Sequence, residues 1–194
     1  MIGYSLILIL LVVLVIAGCK TSRAGYESAP YRVVRTAGQF DVRDYPPLTV
    51  VETPMQGRDN GMNGSFNRLF KFITGGNESK QKIAMTTPVF MTGSESNATM
   101  AFVMPVKFTA ENVPKPMDGT VKVQELPAGR FAVMRFSGGR SAKNEKQALD
   151  QLKQWMASER MTESSQPVFG YFDPPWTPTF LRRNEVMLRT DSGH

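Results

Sequence analysis

The sequence predicts an α+β domain: an antiparallel, barrel-like β-sheet in two similar halves, each contributing one packed helix. Three observations predict it. A nine-residue pattern occurs twice, AGQFDVRDY at 37–45 and AGRFAVMRF at 128–136, with Ala, Gly, Phe and Val at the same offsets and an aromatic closing each copy. After each copy comes a stretch with helical apolar spacing. After each of those come two extended, Pro-punctuated segments. Neither half can cover a sheet face alone, so both belong to one domain over residues 31–190.

The elements follow in order. The first copy leaves a Gly turn and alternates with period two, placing Phe40, Val42 and Asp44 on one strand face. Met62 to Ile73 has apolar residues at 62, 66, 69, 70 and 73, one face of a helix. Gly75-Gly76 stops it. MTTPVFM (85–91) and MAFVMPV (100–106) read as strands, and Thr109 to Gly119, with Pro114 and Pro116, connects the halves. The second copy places Phe131, Val133 and Arg135 on one face. Gly138-Gly139 breaks that strand, and Ser141 caps a helix to Arg160 with Ala148, Leu149, Leu152, Trp155 and Met156 on one stripe. QPVFGYF (166–172) and NEVMLRT (184–190) complete the second half.

Several side chains carry further expectations. Met85, Met100, Met104, Met134 and Met187 lie in strand-like segments and read as core, since Met fills irregular gaps. Trp176, in PPWTP (174–178), reads as a plug for one barrel end. Arg182 or Arg183 is expected to pair with Glu185 or Asp173 and pin that loop. Phe72 lies off the first helix's stripe, where an exposed ring would line a groove.

Composition narrows the function. The chain has 194 residues, 41% hydrophobic and 21% charged, ordinary for a globular protein. Lys and Arg number 23 against 17 acidic residues, a net +6 that favours anionic partners. The basic residues are scattered without interleaved aromatics, which argues against nucleic acid. Cys19 is the one Cys, so no intramolecular disulfide forms, and the one His is His194. With no Ser–His pair, P-loop or dinucleotide Gly motif, nothing points to an enzyme or a metal site.

The N-terminus has the form of an export signal. Leu6 to Ile16 is an unbroken apolar run of eleven residues, shorter than a membrane span. Ile16-Ala17-Gly18-Cys19 resembles a bacterial lipobox. That resemblance implies a signal peptide at 1–18, a lipidated Cys19 anchoring the protein to the membrane, and a tether at 19–30. It implies the bacterial cell envelope, and with Lys20 after the Cys, the outer membrane facing the periplasm in a Gram-negative host. Met1 to Ser5 carry no Lys or Arg, so retention of the segment as an uncleaved anchor stays open. Residues 191–194 form a tail.

KIAMTTPV (82–89) and YFDPPWTPTFLRRNEVMLRT (171–190) resemble the SOUL heme-binding protein family, over roughly Tyr26 to Thr190. The resemblance implies a distorted β-barrel of two pseudo-symmetric halves, each with a helix. It implies heme or a related tetrapyrrole in an apolar groove beside the first helix, with basic side chains near the propionates. On this sequence that gives Met62, Phe66, Leu69 and Phe70 as ligand-binding residues, with Arg68 and Lys71 as propionate partners. Gly64 and Phe72 stand where the family's basic helix residues are expected, and no His precedes residue 194 to serve as an axial ligand. Met, Tyr or no protein ligand to iron remains. The expected function is a membrane-tethered, non-catalytic binding protein for a small hydrophobic anion, heme or another tetrapyrrole. The alternative is an envelope lipoprotein that uses the same barrel for a lipid, another hydrophobe or a protein, without heme.

Overall fold

Segments with period-two alternation become strands, and those with helical spacing become helices. A computed structural model describes residues 25–55, 64–93 and 97–190. The expectations for the signal peptide at 1–18, Cys19, residues 20–24 of the tether, Met62 and the 191–194 tail fall outside these residues. Strands β2 (Arg32–Ala37), β3 (Phe40–Tyr45), β4 (Leu48–Pro54), β6 (Val89–Thr92), β7 (Thr99–Val103), β8 (Lys122–Leu126), β9 (Gly129–Phe136), β10 (Val168–Tyr171) and β11 (Asn184–Arg189) form one antiparallel sheet. Two short strands, β1 (Glu27–Ser28) and β5 (Thr86–Thr87), pair in parallel beside it. The helices are α1 (Ser65–Ile73) and α2 (Ala142–Ser158).

The strand order is β2-β3-β9-β11-β10-β6-β7-β4-β8. The sheet curls but does not close into the expected barrel: β2 and β8 remain edges. Both edges carry exposed charge. Strand β2 is exposed along its length and bulged between Val33 and Arg35, and β8 carries Lys122 and Glu125 outward. Charge and irregularity of this kind protect an edge from pairing with another chain.

Two similar halves are present, with a different correspondence from the one the repeated motif suggests. The order β8-β4-β7-β6 mirrors β3-β9-β11-β10 about the β6–β10 seam. The topological counterpart of β9 is therefore β4, and that of β3 is β8. The two motif copies fall on β3 and β9, which are sheet neighbours with Asp41 opposite Val133. Each half has also exchanged a strand. β3 precedes β4 in the chain but pairs with β9, while β8 precedes β9 but pairs with β4.

Both helices lie on the outer face. Leu69, Phe72 and Ile73 of α1 pack on Val51, Met100 and Phe102. Ala148, Leu152 and Met156 of α2 pack on Ala132, Met134, Val186 and Leu188. Fully burying one such side chain stabilises by about 1.5–3 kcal/mol. Phe72 is 2% exposed, a core residue and not a groove wall, because the α1 stripe is wider than its sequence spacing suggests. Ser141 caps α2 as expected, its hydroxyl accepting from the Asn144 N–H at 3.2 Å. Helix α1 stops at Gly75, whose φ of +112° excludes most side chains. Met100, Met104, Met134 and Met187 are buried, as expected.

The inner face holds Tyr45, Val50, Phe90, Val103, Val133 and Met187. It also holds a charged cluster. Arg43, 1% exposed, donates to Asp41 and through Nη1 to Glu185 at 2.8 Å, with its guanidinium 4.3 Å from the Tyr31 ring centroid. Arg183 donates to the same Glu185 at 2.6 Å, the pairing the sequence suggested. Burial alone would raise the Asp41 carboxyl, but hydrogen bonds from Arg43 and Thr36, with the Arg43 and Arg135 charges, hold it below the usual carboxylate range.

Candidate functional site

Helix α1, strands β5, β6 and β10, and the loop after β10 together frame a groove on the outer face, with a volume of about 410 Å³. One wall is Phe66 and Phe70, stacked with ring centroids 5.9 Å apart. Their four-residue spacing puts both on one side of α1. Met85, Val89, Met91 and Met100 form the floor, and Phe172, Pro174, Pro175 and Trp176 form the opposite wall. Arg140 and Arg182 stand at the margin. The lining is mostly apolar and rich in Met and aromatic surface, which suits a planar macrocycle.

The far wall is braced by the conspicuous C-terminal run. Arg182 donates from Nε to the Thr177 carbonyl at 2.8 Å and from Nη2 to the Pro175 carbonyl. The Arg183 N–H donates to Asp173 Oδ2 at 2.6 Å, and the Arg183 guanidinium lies 4.1 Å from the Phe172 ring centroid. Trp176 does not plug a barrel end. It is 76% exposed, because the sheet does not close and the loop folds outward along the groove. Tyr171, also on the groove wall, donates its hydroxyl to Glu145 of α2, and Arg140 lies 3.6 Å from the same carboxylate. Burial first, and then the Glu145 charge, push the Tyr171 phenol far above its ordinary pKa, so it is neutral.

Of the residues named from the sequence, the structure brings Phe66 and Phe70 to the groove. Leu69 is fully buried in the core beneath α1. Arg68 turns back, donating to Thr53 Oγ1 at 3.0 Å and to the Pro54 carbonyl at 2.6 Å. Lys71 is exposed and does not line the groove. Sequence reasoning missed Met91, Tyr171, Phe172 and Arg140 as lining residues, took Trp176 for a barrel plug, and gave Met85 to the core, against which it packs while also lining the groove. A signal for most of them was present: both distinctive stretches, 82–89 and 171–190, converge on this groove.

No cluster of three or more His, Cys, Asp or Glu able to hold a metal ion occurs among the described residues. No helix among them is long and apolar enough to cross a membrane.

Comparison with known proteins agrees with these motifs. The SOUL heme-binding protein family matches residues 26–189. The chain belongs to this family. It is 30% identical to human heme-binding protein 2 over 122 residues, covering 58% of this chain and 59% of that protein. It is 25% identical to mouse heme-binding protein 2 over 171 residues, covering 82% of each. Heme-binding protein 1 of Xenopus tropicalis is 24% identical over 156 residues, covering 76% of this chain and 81% of that protein. Among solved structures, the C-terminal domain of EcmrR superposes with a TM-score of 0.58 at 16% identity, over 80% of this chain and 98% of that one. A hydrolase from Listeria innocua superposes with a TM-score of 0.55 at 10% identity, over 81% of this chain and 94% of that one. These two likenesses concern the fold alone.

Proposed function

We propose that this SOUL-family chain is a membrane-tethered, non-catalytic binding protein that holds heme or a related tetrapyrrole in the groove beside α1. The carrying observation is the groove itself. Two stacked Phe rings face a Pro-Pro-Trp wall across a Met-rich floor, with two Arg residues at the margin. Phe66, Phe70 and Trp176 would cover the macrocycle, and Arg140 and Arg182 would meet its propionates. Bound heme supplies the iron. The one His of the sequence is His194, so the groove offers Met or Tyr as iron ligands, or none, and affinity rests on apolar burial and propionate pairing. Relatives named heme-binding proteins 1 and 2 support this ligand class. Lipidation of Cys19 would anchor the domain at an envelope membrane, where its basic surface faces anionic headgroups.

Hemin titration of the full chain tests the ligand. The expected result is a saturable Soret shift at micromolar protein. The shift should be lost in Phe66→Glu/Phe70→Glu protein whose circular dichroism is unchanged. A wild-type chain that leaves the hemin spectrum unaltered overturns the reading. Lipid extracted from the natively purified protein, with no tetrapyrrole absorbance, would support the lipid alternative.

A further inference from the structure

A second cavity lies on the other side of the sheet. It occupies the inner face, where the curl brings β3, β9 and β11 toward β4, β6 and β7. Its volume is about 220 Å³, and Tyr45, Leu48, Phe90, Phe131, Val168 and Met187 line it. It shares no lining residue with the groove beside α1. Protein interiors are ordinarily close-packed, and most of the surface of this opening is apolar, with Thr92, Thr99, Ser165 and Gln166 as its neutral polar residues. An apolar cavity of about 150 Å³ admits benzene, so this one admits a phenyl ring bearing a short chain.

The rim supplies the polarity. Arg189 of β11 lines the cavity and has no acidic partner among the described residues. One terminal nitrogen is fixed by the Pro127 and Ala128 carbonyls, at 2.9 and 2.7 Å. The guanidinium is thereby held 5.4 Å from the centroid of the Phe131 ring, itself part of the lining. Gly129 permits this placement, since a Cβ there would fall within 2.5 Å of the guanidinium carbon. The remaining guanidinium N–H groups make no hydrogen bond among the described residues. Glu52, the acidic residue of the lining, stands in register opposite Lys122 of β8, so a cation already neighbours it along the sheet. An apolar hole with a fixed cation at its edge is complementary to a small hydrophobic carboxylate.

We infer that the inner cavity is a second ligand site, which takes a small aryl-alkyl carboxylate with its ring among Tyr45, Phe90 and Phe131 and its carboxylate on Arg189. This site goes beyond the groove reading and stands independently of it.

The test uses 4-phenylbutyrate and the uncharged 4-phenylbutanol as probes on the full chain. Methionine methyl NMR separates the sites, because Met187 lines the cavity while Met85 and Met91 line the groove. The expected result is saturable binding of the acid that moves the Met187 methyl and leaves Met85 and Met91 in place. Arg189→Gln should weaken the acid about tenfold and leave the alcohol unchanged, and Val168→Trp should remove both. The wild-type methyl map needs no variant to fold. Absence of saturable binding, movement of Met85 and Met91 in place of Met187, or equal affinity for acid and alcohol would each overturn the inference. Loss of hemin binding with retention of this pattern would sink the groove proposal and leave the cavity intact.

Discussion

Replacing Arg43 by Met should destabilise the fold severely. Arg43 is 1% exposed and bridges Asp41 and Glu185, whose side chains are 6% and 1% exposed. Removing one partner from a buried ion pair costs about 3–5 kcal/mol, because the other charge stays buried without compensation. Some compensation survives. Arg183 still donates to Glu185 at 2.6 Å, Thr36 donates to Asp41 at 2.8 Å, and Arg135 lies 3.6 Å from Asp41. The loss should therefore fall at the lower end, about 3 kcal/mol. For a chain of this size that lowers Tm by about 6–12 °C. Urea denaturation followed by circular dichroism and tryptophan fluorescence measures it. The combined variant Arg43→Met/Asp41→Val/Glu185→Leu should recover part of the loss, since apolar replacement of a buried ion cluster is often neutral, while Arg183, 31% exposed, gives up its Glu185 partner. A single-variant loss below about 1 kcal/mol, or a combined variant no better than the single one, would refute the view that these charges are buried and mutually dependent.

The same cluster sets an acid limb. Asp41 is depressed in the folded state, so its contribution is present above the ordinary carboxylate pKa and is lost as pH falls through the lower folded value. Denaturation midpoints of the wild type should fall steeply below about pH 4, and Asp41→Asn should flatten that limb. Leu69→Ala, at a fully buried position, should cost about 2–5 kcal/mol in urea melts. Phe70→Ala, at 46% exposure, should cost far less stability yet weaken hemin severalfold in the Soret titration. Trp176→Ala, at 76% exposure, should leave stability within about 0.5 kcal/mol and still weaken hemin. Ser141→Ala should cost about 1 kcal/mol of helix-capping stability, read from the thermal melt.

Most of the elements are legible from local signals. Alternation at 40–45 and 129–136 marks β3 and β9, and the spacing of Ala148, Leu152 and Met156 marks α2, because period and burial are the same fact seen twice. Pairing is not local, and there the reading failed. The two similar nonapeptides suggested counterpart strands, but the chain laid them side by side, and nothing within either segment records which strand it will meet. Arg43 was missed for a related reason. In FDVRDY it shares a face with Asp41 and Tyr45, and alternation alone does not mark a face with two charges as buried. The curl covers that face, and Glu185, more than 140 residues away, completes the cluster. Phe66 and Phe70 were legible because they share a helix face, whereas Arg140 reaches the groove only through the packing of α2.

The exchanged strands β3 and β8 bind the fate of the two halves together. A break in the 109–119 connector would leave an N-terminal piece whose β4 has lost its β8 neighbour, and a C-terminal piece whose β9 has lost β3. Each fragment alone would present a raw hydrogen-bonding ladder, while the two mixed should recombine into one particle. Melting is then expected as a single concerted event, and damage confined to one half should be felt in the ligand region of the other.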